Sequence, residues 1–192
     1  MYECLFRELG VSLPLDDFQM GVLRVLNVAP TQLHPNGWAY MQAFRVLCKY
    51  HYIEPSVGLF LHYFCTRPSN KHMKWLSLIR HADRPLMRPY TSSFKGFKGG
   101  FVKVMIDPVV GRNYFFDAEQ KPLFPLYWTR QARKYDEYPL EMLTEAEVSA
   151  SRILNGLPRG IPARFLVLLP KSPRPRFELE GMFRICSFLC SC

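Results

Sequence analysis

Sixteen prolines divide the chain of 192 residues into short stretches, and this limits its fold more than any other feature. Proline lacks an N–H donor and its ring clashes with the preceding turn, so a helix interior excludes it. Near the N-terminus, three stretches between prolines carry apolar residues at steps of three and four. We predict helices there over about residues 15–27, 37–50 and 56–65. Four aromatic side chains are expected at the centre of the core: Trp38, Phe44, Phe60 and Phe64.

The stretch QLHPNGWAYMQAF, residues 32–44, raises the question of whether it is a site or a corner. Pro35 is predicted to precede the second helix, with Asn36 as the N-cap. His-Pro-Asn-Gly then ends one connection and starts a helix, which is a structural role. The alternative is that His34 acts as an acid or base, for which the sequence offers no partner.

After the third helix the pattern becomes mixed. KWLSLI (74–79) is strand-like, and FVKVMI (101–106) contains the Val-Lys-Val alternation of a half-buried strand. We predict that FVKVMI forms an antiparallel hairpin with NYFF (113–116). PLFPLYW (122–128) is predicted to be an edge strand or an extended loop.

A last helix is predicted over about residues 145–155, because Thr144 and Glu147 have the spacing of a capping box. The following GIPARFLVLLP is expected to add a short strand. The predicted fold class is α+β, with an N-terminal three-helix layer, a small antiparallel sheet from about 74 to 128 and one further helix.

The length suits one domain, which we place at residues 1–170. Within it, a helical part covers about 13–66 and a mixed part about 72–169. Two Pro-Arg steps without periodicity predict a loose, basic, cysteine-containing tail over 171–192.

The net charge of +9 is concentrated in the middle of the chain. Residues 67–104 hold nine basic side chains and a single acid, Asp83, a net charge of +8. Basic groups can neutralise phosphates, and interleaved aromatic rings can stack on bases. The predicted contacts to RNA or DNA are Arg67, Lys71, Lys74, Arg88, Lys95, Lys98 and Lys103. The interleaved rings are Trp75, Tyr90, Phe94, Phe97 and Phe101.

A plain alternative remains for this basic segment: the rings fill the core beneath a solvated basic face. The exposure of the rings distinguishes the two interpretations.

The sequence predicts no catalytic residue, metal or cofactor. It contains no phosphate-binding loop, nucleophile elbow or zinc-protease motif. The acids Asp107, Asp117 and Asp136 are not distinguished from surface acids.

Two residue pairs have zinc-like spacing, Cys48 with His51 and His62 with Cys65. The two pairs fall at the ends of predicted antiparallel helices, about 14 Å apart at 1.5 Å per residue, which is too far for one zinc ion. We expect free thiols.

No apolar run reaches the roughly 18 residues that a membrane span needs. The N-terminal segment carries charges that a secretory signal lacks. We expect an intracellular protein, nuclear or cytoplasmic, that is not secreted and has no membrane partner.

An ordered series of blocks then stands out: LPLDDFQMGVLRVLNVAPTQLHPNGWAYMQAFRVLCKY, PSVGLFLHYF, KWLSL, SFKGFKGGFVKV, YFF and FPLYW. Over about residues 13–169 the series resembles the plant gypsy-type transposon domain family. The resemblance implies a plant protein derived from a long-terminal-repeat retroelement. That family bears a transposase-like label, and it has no assigned catalytic residues to carry over.

Three functions follow from these observations. The first is a non-enzymatic, gag-like structural or interaction module that associates with itself or with other retroelement proteins. The alternative is a nucleic-acid-binding module that uses residues 67–104. The third is a degenerate transposition enzyme.

Overall fold

The computed structural model describes residues 1–68, 75–92, 94–107, 109 and 111–189, without the side chains of Pro68 and of 185–189. The predicted contacts Lys71 and Lys74 lie outside the described residues, as do the cysteines at 190 and 192.

Four helices form the N-terminal part, and three of them are the predicted ones. They are α1 (Glu3–Arg7), α2 (Asp17–Leu26), α3 (Pro35–Tyr50) and α4 (Val57–Tyr63). All four predicted core aromatics are completely buried. The short α1 was not predicted. Its Leu5 is nevertheless fully buried, and α1 packs against α3.

Helix α2 begins and ends at residues that are typical of helix ends. Asp16 is its N-cap: the carboxylate accepts from the Gln19 N–H at 2.8 Å, and the Gln19 side chain accepts from the Asp16 N–H at 3.1 Å. Asn27 ends the helix in the left-handed conformation, with a φ of 53°.

The start of α3 differs from the prediction, because the N-cap is His34 and not Asn36. Pro35 occupies the first helical position, where its missing N–H removes no intrahelical hydrogen bond. The His34 Nδ1 accepts from the Asn36 N–H at 3.2 Å. Asn36 instead donates from its side chain to the Thr91 carbonyl at 2.9 Å and so ties the helix start to a distant loop.

The strands confirm the α+β class. Helix α4 runs directly into β1 (Phe64–Pro68), so the predicted third helix was two residues too long at its end. β1 pairs antiparallel with β2 (Leu76–Arg80), and Thr66 lies opposite Leu78. β3 (Met87–Arg88) pairs in parallel with β4 (Ile161–Pro162).

The predicted hairpin between 101–106 and 113–116 is wrong. In residues 101–106, Phe101 forms an isolated bridge with Tyr2, and the Val102 N–H donates to the Met1 carbonyl at 2.7 Å. The start of this stretch therefore pairs with the N-terminus of the chain. In the second stretch, Arg112–Tyr114 is a 3-10 turn and Phe116 bridges to Pro122.

Residues 122–128 form a loop held by polar contacts, one of the two predicted alternatives. Beyond the bridge at Pro122 no strand is assigned to them. Directly after the loop, the Thr129 hydroxyl donates to the Asn27 carbonyl at 2.6 Å, and the Gln32 side chain donates to the Thr129 carbonyl at 2.8 Å. These bonds fix the loop against the end of α2.

The C-terminal part contains three further helices: α5 (Glu145–Asn155), α6 (Ala163–Leu168) and α7 (Pro175–Leu189). α5 has the predicted Thr144–Glu147 capping box. A strand was expected in GIPARFLVLLP, but only Ile161–Pro162 is one, and α6 follows and packs against α3. A short apolar run cannot be assigned to strand or helix by periodicity alone.

The loose tail predicted for 171–192 is helical over Pro175–Leu189. The second Pro-Arg step was interpreted as a loop signal, but Pro175 stands at the first helical position, where proline is favoured. Leu179 is buried in the main core, and the Phe183 ring stacks on His51 with centroids 5.7 Å apart. Of the helices in the described ranges, none has the length and apolar character needed to cross a bilayer.

One carboxylate joins the beginnings of α4 and α5. Glu147 accepts from the Thr144 N–H at 2.8 Å and also from the hydroxyl of Ser56, the N-cap of α4. Burial acts to raise the pKa of Glu147, but the bonds from Ser56 and Thr144 outweigh it and hold the pKa below the usual value of 4.5.

We expect Glu147→Ala to lower the free energy of unfolding by about 1–3 kcal/mol, since both helix starts lose a hydrogen-bond partner. Urea unfolding at pH 7 measures this loss. Glu145→Ala is the matched control in the same helix, with an expected loss of about 0.5 kcal/mol or less. Equal losses in the two variants would contradict the shared cap.

The pKa of His34 leads to a second prediction, on how stability depends on pH. Burial lowers its pKa from 6.5, so the unfolded chain binds a proton at a higher pH than the folded chain. The stability due to neutral His34 is complete above about pH 6.5 and is lost as the pH falls below that value.

His34→Asn keeps a good N-cap and removes this titration. We expect the free energy of unfolding of the variant to fall less between pH 7 and pH 5 than that of the unchanged chain. His51 and His62, whose pKa values burial also lowers, retain part of the slope. Urea unfolding at three pH values tests this, and identical pH dependence in the two proteins would contradict it.

Candidate nucleic-acid interface

The predicted basic contacts that lie within the described residues are all exposed: Arg67, Arg88, Lys95, Lys98 and Lys103. They do not form one compact group. Lys95 precedes the 3-10 turn Phe97–Gly99 and Lys98 lies within it, whereas Arg88 lies on β3. Arg67 is on β1, near the end of the β1–β2 hairpin where Pro68 pairs with Leu76.

Five rings pack one against the next in this part of the structure, and we call them the aromatic row: Tyr90, Phe94, His34, Phe97 and Trp75. The Tyr90 and Phe94 rings stack with centroids 5.6 Å apart. His34 then contacts Phe94 at 6.4 Å and Phe97 at 5.3 Å. Phe97 contacts Trp75 at 6.0 Å. His34 is thus a capping and packing residue in the middle of the row.

A cation covers each end of the aromatic row. The Lys98 ammonium lies 3.9 Å from the centroid of the Trp75 ring, and the Arg164 guanidinium lies 5.5 Å from that of Tyr90. Arg164 comes from α6, far along the sequence, so it was not among the predicted contacts and no local pattern points to it.

The exposure of the rings distinguishes between the two interpretations of the basic segment, a nucleic-acid contact or a core beneath a solvated basic face. Phe94 is only 9% exposed, and Trp75, Tyr90 and Phe97 are half-buried against one another. Phe101 is 64% exposed and offers an open face. The aromatic row therefore fills space beneath basic groups, while Phe101 with Lys95 and Lys98 has the chemistry to meet a base and its phosphates.

Two arginines, Arg84 and the predicted contact Arg88, are held by protein acceptors. The Arg84 guanidinium donates to Glu137 at 2.6 Å, and this bond lowers the pKa of the Glu137 carboxyl. The Arg88 Nε donates to the Gly160 carbonyl at 2.8 Å. Gly160 directly precedes β4 and has a φ of 67°, a conformation that favours glycine. This conformation allows the Gly160 carbonyl to reach the Arg88 side chain.

A separate surface feature is an apolar groove of about 300 Å³. It is lined among others by Leu13, Leu15, Val102, Val104, Ile106 and Tyr127. Large apolar side chains stand exposed on and beside it: Leu13, Phe101, Val102, Met105, Tyr127 and Trp128. No sequence pattern indicates this groove, because residues 101–106 have the alternation that predicts a hairpin strand.

The cysteine and histidine pairs with zinc-like spacing have other environments. Burial raises the pKa of Cys48 to about 12. His62 Nδ1 lies 3.0 Å from the Tyr138 carbonyl oxygen, and His51 stacks on Phe183. Among the described residues, no group of three or more His, Cys, Asp or Glu is arranged to hold a metal ion.

Two of the acids considered for catalysis stabilise turns. Asp107 Oδ1 accepts from the Val109 N–H, and Asp117 Oδ1 accepts from the Lys121 N–H, both at 2.8 Å. Such bonds between a side chain and a nearby backbone N–H are typical of aspartate in turns.

Comparison with known proteins gives one family. No curated protein and no solved structure matches the chain. A family model described as "Putative gypsy type transposon" matches residues 3–68, which contain α1 to α4 and β1. The likeness of the later blocks, up to about residue 169, stays a resemblance. The resemblance to the gypsy-type transposon family is therefore confirmed over residues 3–68.

Proposed function

We propose that the chain is a non-enzymatic interaction module derived from a plant gypsy-type retroelement, gag-like in that it assembles through protein–protein contacts. The apolar groove carries this proposal, together with its rim, by which we mean the exposed apolar side chains on and beside it. Single exposed apolar side chains are ordinary on a protein surface, whereas a contiguous apolar concavity marks a binding site. The proposal places the module in the nucleus or cytoplasm, with a second copy or another retroelement protein as its partner.

The chemistry of the rim supports a protein partner. Tyr127 and Met105 are 84% and 80% exposed, and Trp128 and Phe101 are 43% and 64% exposed. Tyrosine, tryptophan, phenylalanine and methionine are enriched in protein interfaces, where large rings carry much of the binding energy. The Trp128 Nε1–H donates to the Thr31 hydroxyl at 2.7 Å, so one ring of the rim is already fixed in place.

We expect Tyr127→Asp to raise the dissociation constant for self-association about tenfold or more, because it places a charge where a ring must be desolvated. Light scattering over a concentration series measures this constant. Tyr52→Asp is the matched control, since Tyr52 is 82% exposed and lies away from the groove.

The Tyr52 control should leave association unchanged, and aspartate tolerates the positive φ of 56° at that position. Monomeric protein at every concentration, or equal effects of the two variants, would count against an assembly role for the groove.

A nucleic-acid-binding module is the second candidate, and a specific observation favours it. The exposed Lys95, Lys98 and Lys103 lie within six residues of Phe101 in the sequence, and the Phe101 ring is itself 64% exposed. Lysines neutralise phosphates, and an exposed aromatic ring can stack on an unpaired base. A gag-like module has use for both surfaces, since it must also meet its RNA.

We expect neutralisation of Lys95, Lys98 and Lys103 to glutamine to weaken binding to single-stranded RNA and to make it less dependent on salt. The slope of log affinity against log salt should fall by about two units, roughly 0.7 for each lost phosphate contact. Fluorescence anisotropy at low and high salt measures both quantities. The control triple Lys121, Lys134 and Lys171 to glutamine has the same charge change on other exposed positions. Equal weakening by the two triples would mean diffuse attraction without a site.

A further inference from the structure

Residues 103–107 have the burial pattern of a strand without belonging to one. Lys103, Met105 and Asp107 are exposed, while Val104 and Ile106 are half-buried and line the apolar groove. This alternation has the period of two that an extended backbone imposes. Valine and isoleucine, which are enriched in strands, also favour an extended backbone here.

Residues 103–106 lack the backbone pairing of a strand in the part of the chain that the structure describes. Within the described ranges, no peptide group of residues 103–106 forms a hydrogen bond to another backbone group. Just before it, Val102 forms two, donating to the Met1 carbonyl and accepting from the Met1 amine at 2.6 Å. The sequence thus favours pairing here, and the predicted internal partner, 113–116, folds elsewhere.

Strand geometry identifies the edge that no residue of 102–106 uses in the described structure. Successive residues of a strand direct their N–H and C=O groups to opposite edges. Because Val102 uses the edge facing Met1, the groups of Lys103 and Met105 face the other edge. An edge of unpaired peptide groups is a template for a further strand.

We propose that a second copy of the chain supplies this strand, so that residues 102–106 of two copies pair antiparallel about Val104. This inference rests on the proposed interaction function and specifies its contact. A two-fold interface must be self-complementary. With Val104 at the centre, Lys103 lies opposite Met105 of the partner subunit and Val102 lies opposite Ile106 of the partner subunit.

The charges agree with a second copy as the occupant. No like charges lie directly opposite each other in this pairing, whereas centring on Lys103 would oppose two ammonium groups. Lys103 is the one charged side chain of residues 102–106, so each copy contributes a single charge to the paired strands. Pairing also brings together the two apolar grooves, each lined by its own Val104 and Ile106.

Met105 offers a test that depends on the sign of an added charge. Met105→Glu places a carboxylate opposite Lys103 of the partner subunit, twice by symmetry, and we expect the dimer dissociation constant to fall about fivefold. Met105→Lys opposes two ammonium groups at the same place, and the constant should rise about fivefold. Sedimentation equilibrium of the full chain measures both, and high salt should diminish both effects.

Met142→Glu and Met142→Lys are the matched controls, because Met142 is 64% exposed and lies outside the groove. Neither should shift the dissociation constant by more than about twofold. Opposite shifts at Met105 alone support the strand pairing. Weakening by both Met105 variants overturns it, because a pairing centred on Met105 opposes like charges in either case.

The failure of this inference differs from the failure of the proposed function. Association that Tyr127→Asp abolishes but neither Met105 variant changes would retain the groove as an interface and reject the strand pairing. A chain that stays monomeric at every concentration overturns the pairing and also removes self-association from the proposed function.

Discussion

The burial of α3 is the constraint on which the rest of the structure depends. Trp38, Phe44 and Leu47 are completely buried, and α1, β2 and α6 all pack against this helix. Each large apolar side chain removed from water contributes about 1.5–3 kcal/mol, so a helix buried on several sides supplies much of the driving force for folding. Its start is fixed as well, because the Trp38 indole donates to the Pro30 carbonyl at 3.0 Å.

Local features of the sequence predicted local structure well. The three long N-terminal stretches are helices because their periodicity and their flanking residues agree, and the Thr144–Glu147 box begins a helix for the same reason. The errors occur where the partner is distant or where proline is ambiguous. Phe101 pairs with Tyr2 and not with its sequence neighbours, and Pro35 and Pro175 begin helices. No local pattern indicates which distant segment will bind a strand.

The candidate surfaces were predictable only in their composition. Charge counting identified the basic segment and the rings within it, but not that the rings stack on one another through His34 or that Arg164 covers one end. No sequence pattern predicts the apolar groove, because it is built from several separate parts of the chain, among them those near Leu13, Val104 and Tyr127. Surfaces assembled by tertiary contacts leave no periodic signature in the sequence.

The contact between α3 and α6 has a consequence for how such a segment can spread among genes. The region that matches the family, residues 3–68, contains the central helix but not the helix that covers it, which begins at Ala163. Recombination that transferred only those residues to a new gene would leave an apolar face of α3 open to water. Residues 3–68 therefore depend on packing from outside themselves, and a host chain that acquires them must also supply apolar side chains that bury that face of α3.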